Sequence, residues 1–261
     1  MHERHFNREL YFNEQSRITE QIILPYITRN FPITSESVVA EIGCSDAGNL
    51  YPFLEMGCKV TGIDISEVRI KNARRIYAEH SLNKNLTLID KDIFELVAEQ
   101  TGKFDLIILL DTLEHIQNQK KFLSHIKQFL KPKGRIFLGF PPWRMPFGGH
   151  QQMCKNKILC KTPYFHLLPK QLFIAILKLF GEELYRIEEL LVIRDTRMNI
   201  LKFKKIVAQN QLKIEKEDFY LINPGYEIKF NLKPRKLPWF LNIPYLRDFF
   251  TTVCYYILTD V

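Results

Sequence analysis

The sequence predicts a doubly wound α/β domain, in which a mostly parallel sheet carries helices on both faces. Three observations lead there. Apolar runs of strand length at residues 38–42 and 59–63, and within 86–93 and 104–116, alternate with stretches of helical periodicity. The run Leu106–Leu110 is apolar without alternation, as expected only of a strand buried on both faces. Four acids, Glu41, Asp64, Asp92 and Asp111, fall at or just beyond the C-terminal ends of these runs, the edge where open α/β sheets bind ligands.

The elements follow in order. Residues 14–30 read as a leading helix, with Ile18, Ile22 and Tyr26 at helical spacing before Pro32 interrupts; Tyr11 and Phe12 stay unassigned. The first strand, 38–42, runs into the turn Gly43-Cys44-Ser45-Asp46-Ala47-Gly48. The next helix is marked by Asn49 and by Pro52 in its first turn, where a missing N–H costs nothing, and it stops at Gly57. A second strand, 59–63, ends at Asp64, and Ser66 is a candidate N-cap for a helix with Ile70, Ala73 and Tyr77 on one face. Leu86–Ile93 holds strand three and its following loop, Phe104–Ile116 holds strand four, and Leu130-Lys131-Pro132-Lys133-Gly134 is a turn into strand five. Residues 141–150 hold three prolines and two glycines, so they form a loop at the ligand edge, and Gly148-Gly149 would let it flex. A helix is expected near 169–180, and residues 140–190 exceed an ordinary connection, which predicts a cover inserted after strand five. Strand candidates at Lys213–Leu221 and Thr251–Leu258 close the sheet.

Composition sets the class. A chain of 261 residues suits one large domain. Five cysteines without a C-x-x-C pair suggest reduced thiols rather than a disulfide framework or a zinc ribbon. With no secretory pattern at the N-terminus and no apolar run of about 18 residues, the expected location is cytoplasmic, with peripheral membrane contact left open. Of the net charge of +8, residues 150–261 carry +7, a surplus that either attracts an anionic partner or forms a solvated face.

The turn after strand one decides the ligand. Read for a dinucleotide it is Gly43-x-Ser45-x-x-Gly48, with serine where the backbone must approach a pyrophosphate, so NAD fits poorly. Instead it resembles motif I of the class I S-adenosylmethionine-dependent methyltransferases, acid-x-Gly-x-Gly-x-Gly. Glu41 and Gly43 match, Ser45 and Ala47 replace later glycines, and Gly48 follows. The resemblance runs in order over about residues 10–140: Asp64-Ile65, Asp92-Ile93 after strand three, the Asp-x-Leu-Glu-His signature at Asp111–His115, and the Leu-x-Pro-x-Gly turn at 130–134. It implies a seven-stranded Rossmann-like sheet whose sixth and seventh strands are antiparallel, with S-adenosylmethionine as cofactor. It places Asp64 on the ribose hydroxyls, Ile65 on adenine and Asp92 on the adenine amino group, with Ile93 beside Asp92 in the cofactor site. The loop residues Glu41, Gly43, Cys44 and Gly48, and Asp111 at the end of strand four, complete the site. One domain is expected, with a cofactor core at about 10–140, an acceptor-site cover at about 140–190, and a closing helix and strands at about 190–261.

The acceptor is less legible. The chain is similar to the small-molecule type, such as the ubiquinone-biosynthesis O-methyltransferases, which carry a histidine in the loop after strand five; this implies His150 as general base, with His115 its competitor. The expected reaction is methyl transfer to a small or lipid-linked acceptor, preferably at oxygen, rather than to nucleic acid. An RNA methyltransferase and a catalytically inactive cofactor-binding partner subunit remain the alternatives. Phe140-Pro141-Pro142-Trp143 resembles an amino-methylation motif, but it follows the wrong strand and has an apolar residue where an acceptor for the target nitrogen is needed. His150, Cys154, Cys160 and His166 offer four ligands at no standard spacing, and no metal is expected. In Lys233–Leu241 bases alternate with aromatics, and Trp239 and Phe240 either meet a membrane interface or lipid-linked acceptor, or pack beneath the final strands.

Overall fold

The computed structural model describes residues 7–96 and 100–260. Five strands, β1 (Val38–Ile42), β2 (Lys59–Ile63), β3 (Leu86–Ile89), β4 (Phe104–Leu110) and β5 (Leu130–Phe140), pair in parallel. With β6 (Leu212–Ile222), β7 (Arg235–Lys236) and β8 (Val253–Asp260) they form one sheet in the order β3-β2-β1-β4-β5-β8-β6-β7. The strand order reverses between β1 and β4, which opens the ligand crevice of a doubly wound sheet there. The unbroken apolarity of β4 has its cause in two cores. Leu106 and Ile108 enter one cluster with Val39, Phe53 and Phe137, while Ile107 and Leu109 enter the opposite one with Phe122, Phe203 and Tyr256.

Three expectations about the sheet need correction. It has eight strands rather than seven, because the two-residue β7 pairs with the outer edge of β6. A charged pair, Arg235-Lys236, carries no strand periodicity to read. The sixth strand is not antiparallel to the first five: β8 opposes both β5 and β6, so β6 runs with β1–β5. In β5, the 130–134 turn is a bulge, since Phe104 pairs with Leu130 and Leu106 with Arg135.

The leading helix starts at Arg8 rather than 14. It comprises α1 (Arg8–Ile18), a π turn (Thr19–Ile23) and α2 (Leu24–Thr28), with the Asn7 side chain accepting from the Leu10 N–H at its start. The wide turn stands just before Pro25, which has no N–H to donate one turn back. After β1 come a 3-10 turn at Gly48–Leu50 and the short α3 (Tyr51–Glu55); α4 (Glu67–Ile76) follows β2, and α5 (Gln119–Lys127) precedes β5. Ser66 occupies the N-cap of α4 but its hydroxyl caps nothing; its N–H donates to Asp64 Oδ1 at 2.8 Å.

Beyond β5 the chain makes three 3-10 turns, then α6 (Lys170–Leu179), α7 (Leu184–Thr196) and α8 (Ile200–Gln209); α9 (Gly225–Phe230) follows β6. This segment has its own apolar cluster, including Cys154, Phe165, Phe173, Leu177, Ile187 and Leu190. The buried Arg194 guanidinium donates to the His166 and Leu168 carbonyls, and Glu182 accepts from the Lys155 and Asn156 N–H groups at 3.1 and 2.8 Å. No helix among the described residues is long and apolar enough to cross a membrane.

Candidate active site

The turn after β1 takes a strained path. Gly43 has φ +76°, and Ser45 and Ala47 also lie in the left-handed region, at +53° and +62°; each non-glycine residue there costs about 1–2 kcal/mol. Gly43 is required: a Cβ would stand 2.6 Å from Thr112 Oγ1. Fixed partners hold the path. The Gly43 and Cys44 N–H groups donate to the Ile63 carbonyl at 2.8 and 3.2 Å, the Ser45 N–H to Asp64 Oδ2 at 2.8 Å, and the Tyr77 hydroxyl to the Ala47 carbonyl at 2.8 Å. Gly48 permits the approach of α1, because a Cβ there would meet the Phe12 carbonyl at 2.6 Å. Cys44 contributes backbone only; its side chain is buried and burial pushes the thiol well up.

The acids play different parts. Asp64 is oriented at both oxygens by backbone donors, the N–H groups of Ser45 and Ser66, and Ile65 beside it is 74% exposed. Asp92 caps the turn at Ile93–Glu95, its Oδ1 accepting from the Phe94 N–H at 2.9 Å, and Ile93 itself lies in the core. Glu41 is buried under the loop. Its Oε1 accepts from Asn49 Nδ2 at 2.6 Å, while Oε2 has no hydrogen-bond partner. Burial pushes its pKa up to about 8, the Asn49 bond opposing and the Asp64 charge adding. Asp111, at φ +49°, is pinned by its N–H on the Gly139 carbonyl at 3.0 Å. Its side chain is accessible within the cavity yet lies deep in the protein, and that depth raises its pKa, with Lys229 opposing.

A cavity of about 210 Å³ opens between the loop (Gly43, Ser45, Asn49), α1 (Tyr11, Gln15), Asp111 and α9 (Tyr226, Lys229), with Tyr255 of β8 also in its wall. No residue between 140 and 190 lines it. The tyrosines are neutral phenols: burial, then the Asp111 charge, pushes Tyr11 up to about 12, and the same two causes raise Tyr226. Sequence reasoning missed Tyr11, Gln15, Tyr226, Lys229 and Tyr255. Tyr11 and Gln15 sit four apart, a helical spacing that would have extended α1 toward the N-terminus; the six-residue α9 has too few turns to show a period.

The two candidate bases meet. The His115 and His150 rings stand 5.2 Å apart, nearly edge to face, and His150 Nε2 is 3.8 Å from Glu114 Oε1. Glu114 is 3% exposed and neither of its oxygens has a hydrogen-bond partner. Burial and the Asp111 charge push its pKa well up, and burial lowers that of His115. None of the three lines the cavity. The two glycines before His150 serve packing rather than flexing, since a Cβ on Gly148 would overlap the Trp143 carbonyl and one on Gly149 the His166 side chain. The four ligands weighed for zinc do not converge: His166 is buried, bonds the Trp143 carbonyl at 2.7 Å and is lowered by burial to about 4, while Cys154 packs in the satellite core. Trp239 and Phe240 do not pack beneath the sheet; Trp239 is 86% exposed.

The strand order, the left-handed loop and the acid pinned beside it define the class I S-adenosylmethionine-dependent methyltransferase fold. Residues 40–136 match the methyltransferase domain family. The chain is similar to the ubiquinone biosynthesis O-methyltransferase of Xanthomonas oryzae pv. oryzae, 28% identical over 115 residues (44% of this chain, 47% of the relative), and to that of Caulobacter vibrioides, 33% identical over 98 residues (38% of each). The chain thus spans less than half the length of these relatives. Among solved structures, the magnesium protoporphyrin IX methyltransferase of Synechocystis PCC 6803 with bound SAH superposes with a TM-score of 0.56 at 16% identity, covering 95% of this chain and 84% of that one.

Proposed function

We propose that the chain is an S-adenosylmethionine-dependent methyltransferase acting on an oxygen of a small or lipid-linked acceptor. The observation that carries the cofactor part is the Asp64 carboxylate, fixed by the Ser45 and Ser66 N–H groups next to the strand-order reversal. A carboxylate so oriented keeps lone pairs for two ribose hydroxyls. Ile65 offers an apolar side chain to adenine and Asp92 an acceptor to its amino group. S-adenosylmethionine supplies an activated methyl group. The protein contributes position: Asp111, Tyr11 and Tyr226 line the cavity, a carboxyl and aromatic rings being groups suited to a cation, and α1 packs against the loop. Alignment supplies most of such catalysis. Acceptor activation falls to His115, just beyond β4, and His150, after β5.

Oxygen as the target is supported by the names of the two bacterial relatives. A lipid-linked acceptor is supported by the exposed Trp239, Phe240, Ile243, Tyr245 and Leu246 beside Lys233, Arg235 and Lys236, a surface suited to an anionic bilayer.

Calorimetry with S-adenosylmethionine and its demethylated product tests the cofactor reading. One site per chain is expected. Each hydrogen bond to a charged group contributes about 1.5–3 kcal/mol, so Asp64→Asn should weaken binding by roughly 100-fold. An unchanged dissociation constant in the folded variant overturns the assignment. Transfer of labelled methyl to phenols and alcohols, and not to amines or RNA, tests the acceptor class.

A further inference from the structure

We infer that the protein carries a second ligand site, one for a phosphate group, between the end of α2 and the edge strands β6 and β7. A cavity of about 220 Å³ lies there, lined by Arg29, Lys216 and Lys236, by Asp218, and by Tyr26 and Tyr220. It shares no lining residue with the 210 Å³ cavity of the cofactor crevice.

Chain geometry assembles the site. Alternate residues of a strand share a face, so Lys216, Asp218 and Tyr220 of β6 project together, and Tyr220 pairs with Lys236 of β7. Residues three apart share a helix face, so Tyr26 and Arg29, the residue that closes α2, reach the same place.

Charge selects the ligand. Asp218, with a side chain 11% exposed, has Lys236 at 2.5 Å on one oxygen and Lys216 at 3.9 Å from the other. Three cations against one carboxylate leave a formal surplus of +2 in the lining, which matches a phosphate monoester at neutral pH. Burial, then the Asp218 charge, keeps both tyrosines as neutral phenols, Tyr220 being pushed up to about 12, so they add donors and no negative charge. Arg29 is exposed and has no hydrogen-bond or ion-pair partner among the described residues. Its guanidinium therefore offers a whole fork of donors, the geometry that two oxygens of one phosphate accept. Donors arriving from a helix end and from two strands suit a tetrahedral oxyanion better than a flat carboxylate.

The site backs onto the cofactor crevice. Tyr255 lines the 210 Å³ cavity, and its ring stands 5.6 Å from that of Tyr26 and 5.4 Å from that of Tyr220. Phosphate binding does not rest on the methyltransferase reading, since none of the crevice acids takes part. Two carriers present such a group, a soluble phosphate monoester and a lipid headgroup, and the test separates them.

Tag-free protein is titrated by calorimetry with inorganic phosphate and with glycerol 3-phosphate, and is sedimented with vesicles of phosphatidylcholine with and without phosphatidic acid. Saturable binding of one phosphate group per chain is expected. Arg29→Gln and Lys216→Gln should each weaken it by about tenfold or more, the loss of one hydrogen bond to a charged group. Arg75→Gln, at an exposed position of α4 outside the cavity, removes the same charge and should leave binding unchanged. Circular dichroism confirms folding of each variant. Sedimentation with phosphatidic acid that falls in Arg29→Gln identifies a lipid headgroup as the carrier; lost phosphate binding with unchanged sedimentation identifies a soluble monoester. No saturable binding of either phosphate compound together with no added sedimentation by phosphatidic acid overturns the inference. So do losses in Arg29→Gln and Lys216→Gln no larger than in Arg75→Gln.

Discussion

Glu41→Gln should flatten the pH dependence of stability. Glu41 is fully enclosed, and its pKa in the folded protein is about 8 against an ordinary 4.5. Between those values the folded chain holds a proton that the unfolded chain has released. Stability from this group is therefore complete below about pH 4.5 and lost as pH rises through about 8. At about 1.4 kcal/mol per unit, the interval corresponds to roughly 4–5 kcal/mol. Glutamine keeps the acceptor for Asn49 Nδ2 and removes the titration. Urea unfolding at several pH values, with the variant subtracted from the wild type, isolates the group. Subtraction cancels Asp111, Glu114 and Asp248, raised by burial and of the same sign, and His166, lowered to about 4 and of opposite sign. The wild type should lose roughly 2–3 kcal/mol relative to the variant between about pH 5.5 and 7.5. Parallel profiles would refute the assignment of a protonated carboxyl under the loop.

Two further outcomes are expected. Gly43→Ala places a Cβ 2.6 Å from Thr112 Oγ1 at φ +76°, and Thr112 is held by hydroxyl bonds to the Ile42 and Leu110 carbonyls; urea unfolding should show a loss of about 2–4 kcal/mol, and calorimetry at least tenfold weaker cofactor binding. Paired Trp239→Ser and Phe240→Ser substitutions should lower co-sedimentation with anionic vesicles by tenfold or more, since each buried aromatic contributes about 1.5–3 kcal/mol; wild-type protein that ignores such vesicles at low salt refutes the bilayer contact.

The first five strands were legible because each is buried and bounded by turn residues: β1 and β2 have the bounds read from the sequence, and β3 and β4 lie within the stretches read for them. The acids at their ends were legible for the same reason, since a strand's last residue fixes which edge its side chain reaches. What failed depends on contacts between distant segments. Apolarity in residues 140–190 announced burial but not its address; Phe165, Phe173 and Leu190 pack on one another, while the cavity is walled by Tyr11, Tyr226 and Lys229. Gly148 and Gly149 read as a hinge because glycine frees the backbone, yet here the missing Cβ makes room for Trp143 and His166. The meeting of Glu114, His115 and His150 could not be read either, since their side chains are brought together by the path of the chain after β5.

The site divides into parts with different physical supports. Three non-glycine residues at the crevice, Ser45, Ala47 and Asp111, sit at positive φ, and such strain persists only where the surroundings over-determine it. For them the surroundings are the ends of the parallel strands and the helix after β2: the Ser45 N–H is held by Asp64, the Asp111 N–H by Gly139, and the Ala47 carbonyl by Tyr77 at the end of α4. A substitution in β1, β2 or β4 therefore acts on the cofactor edge even at a distance. The segment after β5 depends instead on its own apolar cluster, fastened to the core through a few bonds such as the Thr196 hydroxyl to the Glu114 carbonyl and the Tyr164 hydroxyl to the Phe249 carbonyl. Its sequence is free to vary without disturbing the loop, so long as those fastenings survive. The family match ends at residue 136, just before this segment begins. The coupling between the halves is then concentrated at the end of β4, where Asp111 faces the cavity and Glu114 and His115, a few residues on, face His150.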